Sequence, residues 1–263
     1  MSLVESALAL MIGVAYLILG AITFHELRRG RRERGMSRFG VALLLMVATC
    51  SPHHLAHAEH VLIGGHAANP LVTAALLIGA PAGIVFVLLR IEALLGGRGD
   101  RVIAGTPRWL GAAPVIMVFA AGVIVTLGVV AAVRGAGPSW TGLPSVALAG
   151  AYGVVGIYLI RAQLGRRGGR AWSLSGITLA AIFPTCALMH ATVALSRPDM
   201  HLFWIDLIGV PVALYFLWVV NRLFRRALPD WNRRPLAGRP QAAGRPSPWA
   251  APVAQPSPVP EPA

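Results

Sequence analysis

The chain has 263 residues, of which 56% are hydrophobic and 13% are charged, and its mean hydropathy is +0.67. This composition excludes a soluble globular domain, in which about a quarter of the residues are charged. All 23 basic residues are arginines, so chemistry that needs a lysine Schiff base is also excluded. A net charge of +13 in a soluble protein would favour nucleic-acid binding. Here the arginines lie between apolar segments, which indicates a lipid bilayer as partner and no nucleic acid.

Seven apolar stretches are long enough to cross a bilayer as helices, which takes about 20 residues each. They cover residues 4–24, 40–63, 70–95, 110–133, 142–164, 172–195 and 202–224. Arginines are frequent in the first, third and fifth connections and after the last span, and scarce in the other connections. Because cytoplasmic loops are enriched in basic residues, we predict an all-α, multi-pass protein of the bacterial inner or plasma membrane. Its N-terminus would be outside and its C-terminus in the cytoplasm.

The first three spans and the last three spans have matching sequences. A shift of 136 residues aligns the first and second spans with the fifth and sixth without a gap, and a shift of 130 aligns the third with the seventh. The matched pairs include Tyr16 and Tyr152, Cys50 and Cys186, His54 and His190, and Pro81 and Pro211. We interpret this pattern as an internal duplication, whose two parallel repeats would be related by a pseudo-twofold axis along the membrane normal.

The predicted organisation therefore has four parts. Residues 1–95 form the first three-helix repeat, residues 96–140 contain a linking fourth helix, and residues 141–228 form the second repeat. Residues 229–263 hold ten of the chain's 20 prolines and are predicted to be a disordered cytoplasmic tail. The three-plus-one-plus-three plan is similar in topology to that of SWEET and PQ-loop transporters.

The second and sixth spans concentrate sulfur and imidazole side chains. Each contains a Cys-x-x-x-His pair, which places both side chains on one helix face because four residues turn a helix by about 400°. The duplication pairs Met189 with His53. The candidate metal ligands are Cys50, His53, His54, His57, Cys186, Met189 and His190. Ionisable residues inside a span are costly and usually functional, so we predict that these side chains converge on a metal ion.

Thiolate, thioether and imidazole groups together form a soft ligand set. Such a set favours Cu(I), followed by Zn(II), over cations that prefer oxygen ligands. Asp206, Glu59 and His60 are candidates for outer-shell partners or proton carriers. Asp206 aligns with the apolar Leu76 and so has no counterpart in the other repeat.

The segment from Cys50 to Leu55 resembles the copper-binding transmembrane helix of ethylene-receptor-type sensors, which carries a cysteine and a histidine at the same spacing. The resemblance implies Cu(I) coordination by Cys50 and His54. The chain differs from those sensors in having Pro52 and a second copy of the motif.

The preferred hypothesis is a Cu(I)-binding protein that transports the metal from the outer face or delivers it, either to a receiving membrane enzyme or within a homo-oligomer. This is a function without catalysis. A first alternative is a ceramidase-like zinc hydrolase, with the site composed of His54, His57, His190, Asp206 and Ser51. A second is an electron-transfer protein with haem between His54 and His190. A third is a small-solute carrier whose histidines and cysteines line the pathway.

Overall fold

The computed structural model describes residues 2–64, 68–104, 140–164, 171–195 and 200–225. Within these ranges, six helices are long and apolar enough to cross a membrane, which indicates a multi-pass membrane protein. They are α1 (Ser2–Arg34), α2 (Arg38–Leu62), α3 (Pro70–Leu94), α4 (Leu143–Leu164), α5 (Leu174–Leu195) and α6 (Met200–Arg225). They correspond to the predicted spans one to three and five to seven. The predicted fourth span, 110–133, and the proline-rich tail, 229–263, lie outside the described residues.

Local sequence signals account for the starts of the helices. Ser37 caps α2 by accepting a hydrogen bond from the Gly40 N–H at 3.1 Å, and Asn69 caps α3 in the same way. Pro70 occupies the first turn of α3, where a missing N–H costs nothing. Ser173 accepts from the Gly176 N–H at 3.1 Å, so the start of α5 repeats the arrangement at the start of α2.

A short antiparallel ribbon supplements the helices. Strand β1 (Val102–Ala104) follows α3 and pairs with strand β2 (Ala171–Ser173), which immediately precedes α5. Asp100 stabilises this end of the bundle, since its carboxylate accepts hydrogen bonds from the Ser175 N–H at 2.9 Å and the Ser173 hydroxyl at 2.5 Å. The ribbon joins two connections that are both predicted to be cytoplasmic.

The helices make the same contacts in each half of the molecule. Helix α1 packs on α2 and α3, and α4 packs on α5 and α6. Across the halves, α3 packs on α5, and α2 packs on α6. The inward faces form one core that includes Leu43, Tyr152, Phe183, Met189 and Phe216. The outward faces expose leucines and isoleucines of α1, α3 and α6, as expected of helices that face lipid.

Candidate metal centre

Three buried ionisable side chains from different helices meet inside the bundle. His53 projects from α2, His190 from α5 and Asp206 from α6, and each offers a ligand atom within 4.8 Å of those of the other two. Their side chains are 1–3% exposed. Within the described ranges, this is the one group of three or more His, Cys, Asp or Glu residues that could hold a metal ion.

The Asp206 carboxylate lies between the two imidazoles. Its Oδ1 is 2.6 Å from Nδ1 of His53, and its Oδ2 is 3.5 Å from Nδ1 of His190. The Ser145 hydroxyl of α4 donates a hydrogen bond to Oδ2. The two imidazole rings contact each other with their planes inclined by 49° and their centroids 4.3 Å apart. Asp206 therefore links side chains from α2, α4 and α5 at one point.

The protein does not provide a hydrogen bond for every ring nitrogen of the two imidazoles. Nε2 of His53 is buried and has no hydrogen-bond partner among the described residues, and Nδ1 of His190, also buried, has only the 3.5 Å ionic contact with Oδ2 of Asp206. An unsatisfied buried polar atom costs about 1–3 kcal/mol, so a ligand that satisfies it would be favoured. Asp206 faces Nδ1 of both histidines, so an ion held by all three residues would lie among these atoms and take the place of the hydrogen bond between Asp206 and His53.

These side chains fit a borderline transition-metal ion. Two imidazoles and a carboxylate suit copper, zinc and iron, whereas the soft ion Cu(I) prefers sulfur. His53, His190 and Asp206 would hold the ion, and a site with three protein ligands keeps a coordination position open. The observed group contains no sulfur, so as a set of metal ligands it is chemically harder than the sulfur-rich set predicted from the sequence.

The two cysteines have other partners. The Cys50 sulfur shares a hydrogen bond with the Tyr152 hydroxyl at 3.0 Å, and the Cys186 sulfur with the Tyr16 hydroxyl at 3.7 Å. Both thiols are buried and so do not face lipid. The three-residue group contains neither of them. The predicted convergence of Cys50, His54, Cys186 and His190 does not form such a group in the described part of the chain.

A second buried polar network surrounds Glu5. Its Oε1 is 2.9 Å from Nε2 of His57, and its Oε2 accepts hydrogen bonds from the Thr73 hydroxyl at 2.7 Å and the Asn69 N–H at 2.9 Å. His57, a predicted ligand, is therefore engaged with a carboxylate of α1. Glu5 was not among the predicted site residues, although a carboxylate in the first turn of an apolar helix is itself a signal of a buried partner.

The remaining candidate residues have diverse environments. His54 and Met189 are buried, and Ser51 donates a hydrogen bond to the Gly13 carbonyl at 2.8 Å. Glu59 is exposed and His60 is half-buried near the end of α2, and neither belongs to the three-residue group. The group therefore includes two of the seven predicted ligands, together with Asp206, which was predicted to be an outer-shell partner.

Comparison with known proteins gives no match to a family model, to a curated protein or to a solved structure.

Proposed function

We propose that this protein binds a transition-metal ion of the copper and zinc type inside the membrane, at His53, His190 and Asp206, and that it transports or delivers that ion. The observation that carries the proposal is the buried three-residue group, whose ligand atoms lie within 4.8 Å of one another. The buried Nδ1 of His190 supports the same conclusion, because it forms no hydrogen bond among the described residues and lies 3.5 Å from Oδ2 of Asp206.

The charge of Asp206 and the number of protein ligands both favour reversible metal binding. Asp206 supplies one negative charge, which partly offsets a divalent ion in a medium of low dielectric constant. Structural metal sites are usually closed by four protein ligands, whereas the three ligands here leave one position for an incoming or leaving ligand. An ion held in this way can be exchanged, as transport or delivery requires.

The proposal includes the orientation and the duplication predicted from the sequence. Matching local contacts support the duplication. In α2 and α5 alike, Thr49 and Thr185 each donate to carbonyls three and four residues earlier.

The arginine distribution supports an external N-terminus. A membrane-impermeant maleimide should label Ile63→Cys from outside in intact cells and Leu95→Cys only after lysis, and the reverse pattern would refute the orientation.

One contact favours a zinc hydrolase as a second candidate. The Ser145 hydroxyl on Asp206 places a serine beside two histidines and a carboxylate. The set predicted for that function is dispersed, however, since Ser51 is held by Gly13 and His57 by Glu5. Zinc-dependent hydrolysis of a lipid amide or ester that is lost in Ser145→Ala but survives in Ser51→Ala would favour this candidate over transport.

Metal analysis of the purified protein tests the proposal. Protein extracted in mild detergent is dialysed against equimolar copper or zinc and then freed of loosely bound ions. The wild type should retain about one ion per chain, and His53→Gln and His190→Gln should lower the affinity by roughly tenfold or more. The exposed His201 of α6 provides the matched control, His201→Gln, which should bind as the wild type does.

Equal retention by the wild type and both site variants would contradict the proposal, as would a wild type that retains no metal. Circular dichroism of each variant checks that the helices remain folded.

A further inference from the structure

A small pocket lies between α1, α2, α3 and α5. The residues that bear on its chemistry are Tyr16, His54, Leu76, Gly79, Cys186 and Met189. Three of them carry donor atoms for a metal: an imidazole, a thiol and a thioether. Nδ1 of His54 is buried and has no hydrogen-bond partner in the described part of the chain.

The pocket occupies the place in one half that the metal centre occupies in the other. With the shifts of 136 and 130 residues, its residues correspond to Tyr152, His190, Asp206, Gly209, Cys50 and His53. The local contacts agree. Tyr16 lies 3.7 Å from the sulfur of Cys186 and has its ring centroid 5.6 Å from that of His54. In the same way, the Tyr152 hydroxyl lies 3.0 Å from the sulfur of Cys50, and the Tyr152 ring centroid lies 5.6 Å from that of His190.

The two places differ in two donor groups. Met189 stands where the other half has His53, and Leu76 stands where it has Asp206. Ala9 also replaces Ser145, the residue that donates to Asp206. The pocket has therefore lost the carboxylate with its hydroxyl partner, and it has a thioether where the other half has an imidazole.

The space in the pocket depends on Gly79. A Cβ added there would come within 3.0 Å of Oγ1 of Thr185 and 3.7 Å of Cδ1 of Ile12. The corresponding Gly209 faces Leu148 and Thr49, which are the counterparts of Ile12 and Thr185. A glycine at this point of each half thus leaves room next to the donor groups.

We propose that this pocket binds Cu(I) through the sulfur of Cys186, the sulfur of Met189 and the imidazole of His54. Thiolate and thioether ligands select Cu(I). Binding replaces the thiol proton of Cys186 with the ion and releases that proton, with no change of oxidation state. One thiolate and one monovalent ion make a neutral complex, which suits an apolar pocket.

This inference goes beyond the proposed function and does not depend on it, because the two sites have no ligand in common. It gives the two halves of the molecule different metal preferences, with a borderline divalent ion on the side of Asp206 and a soft monovalent ion on the side of Leu76.

Competition with a chromogenic Cu(I) chelator tests the pocket in the full-length protein, under anaerobic conditions with excess reductant. The wild type should take up one Cu(I) per chain. Cys186→Ser should abolish uptake, and Met189→Leu, which conserves the side-chain volume, should weaken it by about tenfold. The matched controls are Cys50→Ser and Met46→Leu, which change a buried cysteine and a buried methionine outside the pocket and should bind as the wild type does.

An equal loss in Cys50→Ser and Cys186→Ser would overturn the assignment, because both sulfurs would then share one ion. A wild type that takes up no Cu(I) would also overturn it. His190→Gln separates the two proposals, since it should reduce zinc binding and leave Cu(I) uptake intact. Thermal unfolding of each variant shows whether a loss of uptake reflects a loss of structure.

Discussion

At the scale of single residues, the adjacent histidines of α2 have different roles. His53 faces His190 and Asp206, whereas His54 has Tyr16 at its ring edge and lines the pocket. Consecutive residues on a helix are about 100° apart, so an arc that holds both can face two helix interfaces. The sequence predicted both histidines as ligands, but it could not assign them to different interfaces, because that assignment depends on which helices pack against α2.

Asp206 shows why the sequence anticipated only part of the buried three-residue group. It has no counterpart in the predicted duplication, so the internal alignment gave no reason to place it next to His53 and His190. Its position follows from the packing of α6 against α2, a contact between distant parts of the chain. The two cysteines were predicted to converge because the Cys-x-x-x-His pair is repeated. Repetition indicates equivalent environments, however, and does not show that the two sulfurs meet.

The Glu5 network leads to a prediction about stability. Glu5→Ala leaves the buried His57 and Thr73 side chains and the half-buried Asn69 N–H without their acceptor and should lower the free energy of unfolding by about 3 kcal/mol. Glu5→Gln keeps an acceptor oxygen and should cost less. Unfolding in detergent micelles, followed by tryptophan fluorescence, measures both. Glu5→Ala unfolding at the wild-type denaturant concentration would show that the network contributes little.

At the scale of helices, hydropathy predicted positions well. The third, fifth and sixth predicted spans, 70–95, 142–164 and 172–195, agree within two residues with helices α3, α4 and α5. The first prediction ended at residue 24, whereas α1 continues to Arg34. Hydropathy marks where apolar residues stop, but arginine is a good helix former, so the helix continues past the apolar stretch. The β1–β2 ribbon was not predicted, because three-residue strands carry too little pattern.

Close packing of the α4 start against α5 leads to a second prediction. A Cβ on Gly142 would lie 2.6 Å from the carbonyl oxygen of Ala194, which is backbone and cannot rotate away. Gly142→Ala should therefore destabilise the protein by about 1–3 kcal/mol. The matched control is Gly150→Ala in α4, where nothing lies within 4 Å of the added carbon. That change should be neutral or stabilising, since alanine favours helices by about 1 kcal/mol over glycine.

Thermal melts of the two glycine variants by circular dichroism provide the measurement. Equal melting temperatures for both variants would show that α4 and α5 are not in such close contact.

At the scale of the whole molecule, the two halves combine equivalent packing with different chemistry. The helix contacts, the tyrosine–cysteine pairs and the glycines at the two sites match, whereas the donor groups beside them differ. The sequence alignment already contained the exchanges of His53 for Met189 and of Asp206 for Leu76. It could not show that these two exchanges fall at one place, because that requires α2, α5 and the third helix of each half to be assembled.

X-ray absorption at the zinc edge, on wild-type protein loaded with one equivalent of Zn(II), tests the central claim most directly. Zinc does not change oxidation state, and His53, His190 and Asp206 offer it two imidazoles and a negatively charged carboxylate, which are ligands that suit this borderline ion. The spectrum should show imidazole nitrogen and carboxylate oxygen at about 2.0–2.2 Å and no sulfur neighbour. A sulfur shell at about 2.3 Å, or protein that retains no zinc, would contradict the claim.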